Sequence, residues 1–387
     1  MYKRNIASIA EYIEKGCKEG QKTGLELEHF IMSKDTHKRV PYFNGVDAVI
    51  NRLCPFFNKK TYSEGFLIGL TGDDYALTLE PGAQLEISIA PKDNLSDIQS
   101  IYDDFLSLIT PLLNEFNYEL ITLGYTPDEK ASDIPLIPKK RYEYMDNYFK
   151  STGTLGLNMM RATASVQCSV DFKDEADFIN KFRFASSISP ILSLITDNCP
   201  SFEGKNQRMA RTLIWQNTDN SRCNTVPCIF DEDFGFYKYA EYIYNIPPIF
   251  TAENMQYTGA KKASEIYQNR EINEDIITHL LSMVFPDVRA KQYIEIRPAD
   301  SMHIEKSIAY TALIKGLMKN PAYNFVNLTV NDIDDAKNTL IKYGFNSKIY
   351  GRYVKEIISD LLNLAKSNLP KGEKDLLGPL YKITGER

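Results

Sequence analysis

Four histidines and one tryptophan are all that 387 residues carry of those two types, and the six cysteines are scattered. Cys17, Cys54, Cys168, Cys199, Cys223 and Cys228 form no CxxC pair and stand at no metal-ligand spacing from a histidine. That excludes a zinc-finger type of site and reads as the reduced thiols of a cytoplasmic protein. No apolar run approaches the roughly 20 residues that cross a bilayer. Residues 1–20 mix charge into an isoleucine stripe and lack the continuous apolar stretch of a secretion signal. The net charge of −6 argues against a nucleic-acid or anionic-membrane binder. A Walker-type phosphate loop, internal repeats and low-complexity segments are also missing.

What is present is an ordinary globular composition, 43% hydrophobic and 25% charged, with enough length for a sizeable core. Ile6, Ile9, Ile13 and Cys17 recur at helical spacing. Period-2 alternation predicts strands over residues 25–30, 85–90, 118–125, 161–172 and 292–300, and a strand pair over 66–79 turning at Gly72-Asp73-Asp74. A long helix follows Ser96 as its cap, with Pro111 placed to kink or break it. Helices are expected over 174–196, interrupted at Pro190, over 273–284, and as three or four between 302 and 366. Residues 127–150 and 200–258 read as loops. The class is α+β, without the βαβ alternation of a doubly wound fold.

The strands carry a second signal. Glu26 and Glu28 share a face, Glu86 shares one with Gln84, Gln167 with Asp171, and Glu295 with Arg297, while Glu80 sits at the turn before Pro81-Gly82. Any one pair describes a solvated strand face. Repeated over several strands of one sheet, they would form a floor of carboxylates whose mutual repulsion calls for cations. Oxygen-rich sites suit Mg²⁺ or Mn²⁺, which also bind nucleotide phosphates. The cluster Lys139-Lys140-Arg141 either contacts an anion or is solvated loop charge. Gly153-Thr154-Leu155-Gly156 either approaches phosphates or turns the chain before the next strand. Arg211, Trp215 and Arg222 place guanidinium groups near the only tryptophan, and guanidinium suits carboxylate or phosphate. His29 and Cys168 read as structural.

These segments resemble the plant-type glutamate–cysteine ligase family, with its bacterial relatives. The resemblance runs in order through Gly24-Leu25-Glu26-Leu27-Glu28-His29, Leu79-Glu80-Pro81-Gly82-Ala83-Gln84-Leu85-Glu86, Ile137-Pro138-Lys139-Lys140-Arg141-Tyr142, Gly153-Thr154-Leu155-Gly156, Thr163-Ala164-Ser165-Val166-Gln167, Ile214-Trp215, and Phe285-Pro286-Asp287-Val288-Arg289 to Tyr293-Ile294-Glu295-Ile296-Arg297. It implies a curved antiparallel sheet of about six strands flanked by helices, related to glutamine synthetase. It also implies one catalytic domain over 1–387, with the sheet core in 1–300 and a helical part in 301–387. The implied activity joins L-glutamate to L-cysteine with ATP and two or three Mg²⁺ ions, through a γ-glutamyl phosphate, as the first step toward glutathione or a related thiol. The implied metal ligands are Glu26, Glu28, Glu80, Glu86 and Glu295. The implied nucleotide contacts are Lys139, Arg141, Gln167 and Trp215, and the implied catalytic groups are Glu86, Arg211 and Arg297. The molecule would be a monomer or homodimer without nucleic-acid or membrane partners. A ligase using another amine, or a phosphotransferase of the same superfamily, is the alternative.

Two departures stand out. The family's plant members carry an arginine one position after Arg161, where this chain has Ala162, so Arg161 is not expected to hold glutamate. After Arg297 the chain reads Pro298-Ala299-Asp300-Ser301-Met302 in place of a glycine-rich continuation. The paired cysteines of plant redox control are not evident.

Overall fold

Alternating apolar residues at Leu25, Leu27, Leu85, Ile87, Val166, Cys168, Ile294 and Ile296 are all essentially buried and mark one face of a single sheet. The computed structural model describes residues 1–321, 325 and 327–384. Among these residues the sheet has nine strands: β1 (Thr23–Ser33), β2 (Lys59–Ser63), β3 (Phe66–Thr71), β4 (Tyr75–Leu79), β5 (Leu85–Lys92), β6 (Tyr118–Ile121), β7 (Ser165–Val170), β8 (Val288–Ala290) and β9 (Ile294–Asp300). Their order is β8-β9-β7-β1-β5-β4-β3-β2, with β6 paired to β1, and every pairing is antiparallel. The sheet is thus wider than the expected six strands. β2 gave no signal because its residues, Lys-Lys-Thr-Tyr-Ser, lie on an exposed edge with no buried face to impose alternation. β8 is only three residues long.

The helix Leu95–Glu115 packs on β5 and β6, and Ile304–Lys319 packs on β1 and β7, closing the apolar face. Neither long helix breaks at its proline. Leu95–Glu115 passes through Pro111, and Asn94 rather than Ser96 holds its N-cap position. The carbonyl that Pro111 leaves unbonded belongs to the exposed Ser107 and is open to water. Glu175–Ile195 passes through Pro190, and there the freed Ser186 carbonyl accepts from Ser189 Oγ at 2.9 Å. The residues expected as loops hold the helices Lys140–Phe149, Ala210–Gln216 and Phe236–Tyr244. Charge masked the first: Tyr142, Met145, Tyr148 and Phe149 form its buried stripe among polar residues, of which Asp146 is buried with them.

The strand expected over 161–172 begins only at Ser165, and Arg161 lies in the helix Gly156–Ala162. Between Ile296 and Ala299, β9 carries one residue more than β7 opposite it, a bulge that contains Pro298. The helices Val330–Tyr343 and Val354–Asn368 complete the expected C-terminal group. Among the described residues no helix is long and apolar enough to cross a membrane.

Candidate active site

Side chains directly opposite on neighbouring strands leave the sheet on the same side. Glu28 lies opposite Glu86, Glu26 opposite Gln167, Thr78 opposite Glu86, and Arg289 opposite Glu295. The separate polar faces read from the sequence therefore form one continuous floor. Glu80 joins it from the turn before β5, closed by Ala83 N–H to Glu80 O at 2.9 Å. That turn is tight: a Cβ on Gly82 would fall 2.2 Å from the Arg161 carbonyl. The buried Arg39 guanidinium donates to the carbonyls of both Gly82 and Arg161, clipping the turn to the C-terminus of the helix Gly156–Ala162.

The carboxylates on this floor fall into two groups. Glu295 is almost fully buried and bound by three cations, Arg289 at 2.6 Å, Lys291 at 3.1 Å and Arg297 at 2.8 Å. Burial works against its charge, but Arg289, Lys291 and Arg297 overcome this and hold its carboxyl well below the usual range. The other group has no such partners. Glu26 and Glu28 are each pushed up to about 8, by burial first, then by Glu86 and Glu295 acting on Glu26 and by Glu80 and Glu86 acting on Glu28. Glu86 is pushed up to about 7 by burial and by Glu80. Glu28 accepts from Ser165 N–H at 2.8 Å, Ser165 Oγ at 3.0 Å and Gln167 Nε2 at 3.3 Å. Gln167 Oε1 in turn accepts from Arg297 Nη1.

Basic and aromatic groups face this floor from short helices. Arg211 donates to the Arg297 carbonyl at 3.0 Å and stacks over Trp215, 5.6 Å from its centroid. Arg141 donates to Ser282, while Lys139 lies against the ring of Tyr142. Burial lowers the pKa of Lys139, Arg141 and Arg211 from their ordinary values. Among the described residues, Arg141 Nε, Arg211 Nε and Trp215 Nε1 are buried donors without a hydrogen-bond partner. All three residues line the same cavity, where a polar ligand could complete their bonding.

Floor and helices enclose a cavity of about 330 Å³. Glu26, Glu28, Glu80, Glu86, Lys139, Arg141, Gln167, Arg211, Trp215 and Arg297 all line it, whereas Glu295 lies beneath its cations, out of the lining. Arg161 points away and pairs with Asp146 at 2.6 Å. Gly153 and Gly156 serve packing: a Cβ on Gly153 would meet the Thr218 carbonyl at 2.3 Å, and one on Gly156 the Phe149 Cβ at 2.6 Å. Gln84 also lines the cavity, and it buttresses the turn, accepting from Gly82 N–H and donating to Thr163 O at 2.8 Å. His29 is core, bonded to Leu85 O and Tyr102 Oη.

Sequence reasoning overlooked Arg289, Lys291, Ser165 and Thr78. Only the folded register of the β8–β9 hairpin reveals Arg289 as partner of Glu295. Among the described residues no three His, Cys, Asp or Glu side chains converge as a ready-made metal cage. The donors are instead spread along the floor. That distribution suits Mg²⁺, which keeps several waters and takes one or two carboxylates together with substrate phosphates.

A family profile described as glutamate–cysteine ligase family 2 matches residues 22–376. The chloroplastic glutamate–cysteine ligase B of Oryza sativa subsp. japonica is 31% identical over 396 residues, covering 97% of this chain and 79% of its own. The chloroplastic glutamate–cysteine ligase of Arabidopsis thaliana is 31% identical over 384 residues, covering 94% and 73%. Among solved structures, a glutamate–cysteine ligase from Francisella tularensis in complex with AMP matches with a TM-score of 0.57 at 11% identity, covering 95% of this chain and 82% of that one. That last likeness speaks for the fold.

Proposed function

This chain belongs to the glutamate–cysteine ligase family, and from that premise we propose how its floor joins the γ-carboxylate of L-glutamate to the amine of L-cysteine at the expense of ATP. The observation that carries the reading is the side-by-side arrangement of uncompensated carboxylates, Glu26, Glu28 and Glu86, and guanidinium groups with open donors, Arg211 and Arg141.

A carboxylate is a poor electrophile, so it must first be activated. A γ-carboxylate oxygen of glutamate attacks the terminal phosphoryl of ATP, ADP leaves, and an acyl phosphate forms. The cysteine amine then attacks the carbonyl carbon, loses its proton, and phosphate departs as the amide forms. The chain's work is positioning and charge neutralisation. Arg297 and Arg211 hold anionic oxygens of glutamate or of the transferring phosphoryl. Lys139, Arg141 and the Trp215 indole N–H bind the remaining anionic or polar groups. No protein nucleophile is required.

The donor set fits Mg²⁺. Glu26, Glu28, Glu80 and Glu86 would hold two or three ions, which when bound neutralise the nucleotide phosphates. Glu295 in this reading is first the counter-ion that holds Arg289 and Arg297 in place, and it reaches a cation only by giving up one of them. We further read 1–387 as one catalytic domain, supported by a core continuous from Ile6 to Leu380. A reducing, cytoplasmic setting is supported by six cysteines that are all unpaired, although the plant relatives are named chloroplastic.

The test is phosphate release from ATP with Mg²⁺ and glutamate, against a panel of amino acids. Release that needs glutamate and rises with cysteine is expected. Activity with alanine or ammonia but not cysteine would sink the cysteine assignment. Glutamate-dependent transfer indifferent to any amine would favour a phosphotransferase.

A further inference from the structure

Of the carboxylates on the floor, Glu86 is held asymmetrically. Thr78 Oγ1 donates to Glu86 Oε1 at 2.8 Å from the neighbouring strand β4, and Ser88 Oγ donates to the same oxygen at 3.1 Å from two residues along β5. Both donors are fixed by the sheet: Thr78 is the direct cross-strand partner of Glu86, and Ser88 shares its face. Among the described residues, Oε2 receives no hydrogen bond. Glu28 differs, because protein donors reach both of its oxygens.

A carboxylate whose two oxygens are equivalent can rotate and can bind a cation through both. Two hydroxyls on one oxygen remove that freedom. They fix the plane of the group and leave one oxygen, in one direction, for a ligand. We propose that Thr78 and Ser88 are positioning residues that hold Glu86 through Oε1 and so leave Oε2 as its single oxygen for a divalent cation. Neither hydroxyl touches substrate in this role. The proposal rests on the metal-floor reading given above, and supporting groups of this kind typically change metal affinity 10–100-fold when removed.

Mn²⁺ affinity of the full chain, from the electron paramagnetic resonance signal of free Mn²⁺, tests it in Thr78→Val, Ser88→Ala and the double variant. Valine keeps the shape and strand preference of threonine while removing the hydroxyl. We expect Mn²⁺ to bind about tenfold more weakly in the double variant. The Mg²⁺ concentration for half-maximal activity should rise by the same factor, with little change in kcat at saturating Mg²⁺. Thr78→Ser, which keeps the hydroxyl, should restore the affinity. Mn²⁺ affinity within twofold of the parent in the double variant would overturn the proposal, as would a fall in kcat without a change in affinity. Should the double variant not fold, Ser88→Ala alone decides by the same comparison. Wild-type protein without glutamate-dependent phosphate release would remove the ligase reading, while the Mn²⁺ comparison still decides this one.

Discussion

Glu28 and Glu86 are cross-strand partners, a like-charged pair facing the same cavity from adjacent strands of one sheet. Like charges directly opposite each other destabilise a sheet, and burial enlarges the effect. The protein without bound cations therefore carries an electrostatic stress that the proposed metal binding would relieve. Glu86→Gln should stabilise the protein in EDTA by about 1 kcal/mol while lowering turnover at least ~100-fold. Thermal melts in EDTA and in Mg²⁺ check both halves: Mg²⁺ should raise the melting temperature of the wild type more than that of the variant. A variant less stable than wild type in EDTA would count against the uncompensated floor.

Glu295→Gln should act in the opposite direction on stability. Its carboxylate neutralises Arg289, Lys291 and Arg297, and removing one member of a buried ionic cluster leaves the others unpaired, at about 3–5 kcal/mol. Chemical denaturation of the metal-free protein would show the loss. A change under about 0.5 kcal/mol, the usual range for an exposed substitution, would mean the cations are effectively solvated.

Gln167 stands between opposite charges. Its Oε1 accepts from Arg297 and its Nε2 donates to Glu28 at 3.3 Å. The neutral amide bonds both partners and stands between them, so that in the proposed function Arg297, already paired with Glu295, would turn its remaining donors to an anion and Glu28 its carboxylate to a cation. Gln167→Leu should raise both the KM for glutamate and the half-saturating Mg²⁺ by about tenfold. An effect confined to one of the two would show that the amide serves only that ligand.

Asp300 gives a dependence on pH. Burial pushes its carboxyl up to about 7, against the opposing attraction of Arg211. The folded state then holds a proton that the unfolded chain, with an ordinary aspartate, has released, so stability falls as pH rises from about 4 to 7. Stability below that window is retained and the loss is complete above it. Asp300→Asn should flatten this part of the profile, removing a slope worth up to about 4 kcal/mol. Denaturation midpoints measured at pH 5 and pH 8 for both proteins provide the comparison; parallel profiles would contradict the assignment.

The site was more legible in the sequence than the walls around it. Glu26, Glu28, Glu86 and Glu295 declared themselves because one face of each strand packs into the apolar core and the other carries the polar floor, which forces a period of two. Which glutamates share charge partners was not legible, since the answer lies in the register of β8 against β9, a pairing between residues six apart that no periodicity announces. The helix Lys140–Phe149 was hidden because its apolar stripe is interleaved with charged residues and preceded by a basic cluster, of which Lys139 at the N-cap and Arg141 in the first turn line the cavity. Arg39 gave no signal at all. It lies in an irregular segment, and its value comes from two carbonyls, of Gly82 and Arg161, that only the folded chain brings together. The prolines misled for a similar reason, because a serine hydroxyl or water can satisfy the carbonyl that each frees.

The extra residue in β9 between Ile296 and Ala299 makes the molecule's chemistry a matter of counting. Upstream of it, the odd-numbered Glu295 and Arg297 stand on the polar face of the sheet; downstream, Asp300 lies opposite Ser165, so that an even number holds that face. Removing one residue there would leave every hydrogen bond of the sheet available to be remade, yet it would send either the arginine or the aspartate through to the oily side. Changes of chain length at this point should therefore be far less tolerated than changes of residue type, and a library of variants would show the bulge as a position where identity drifts and number does not.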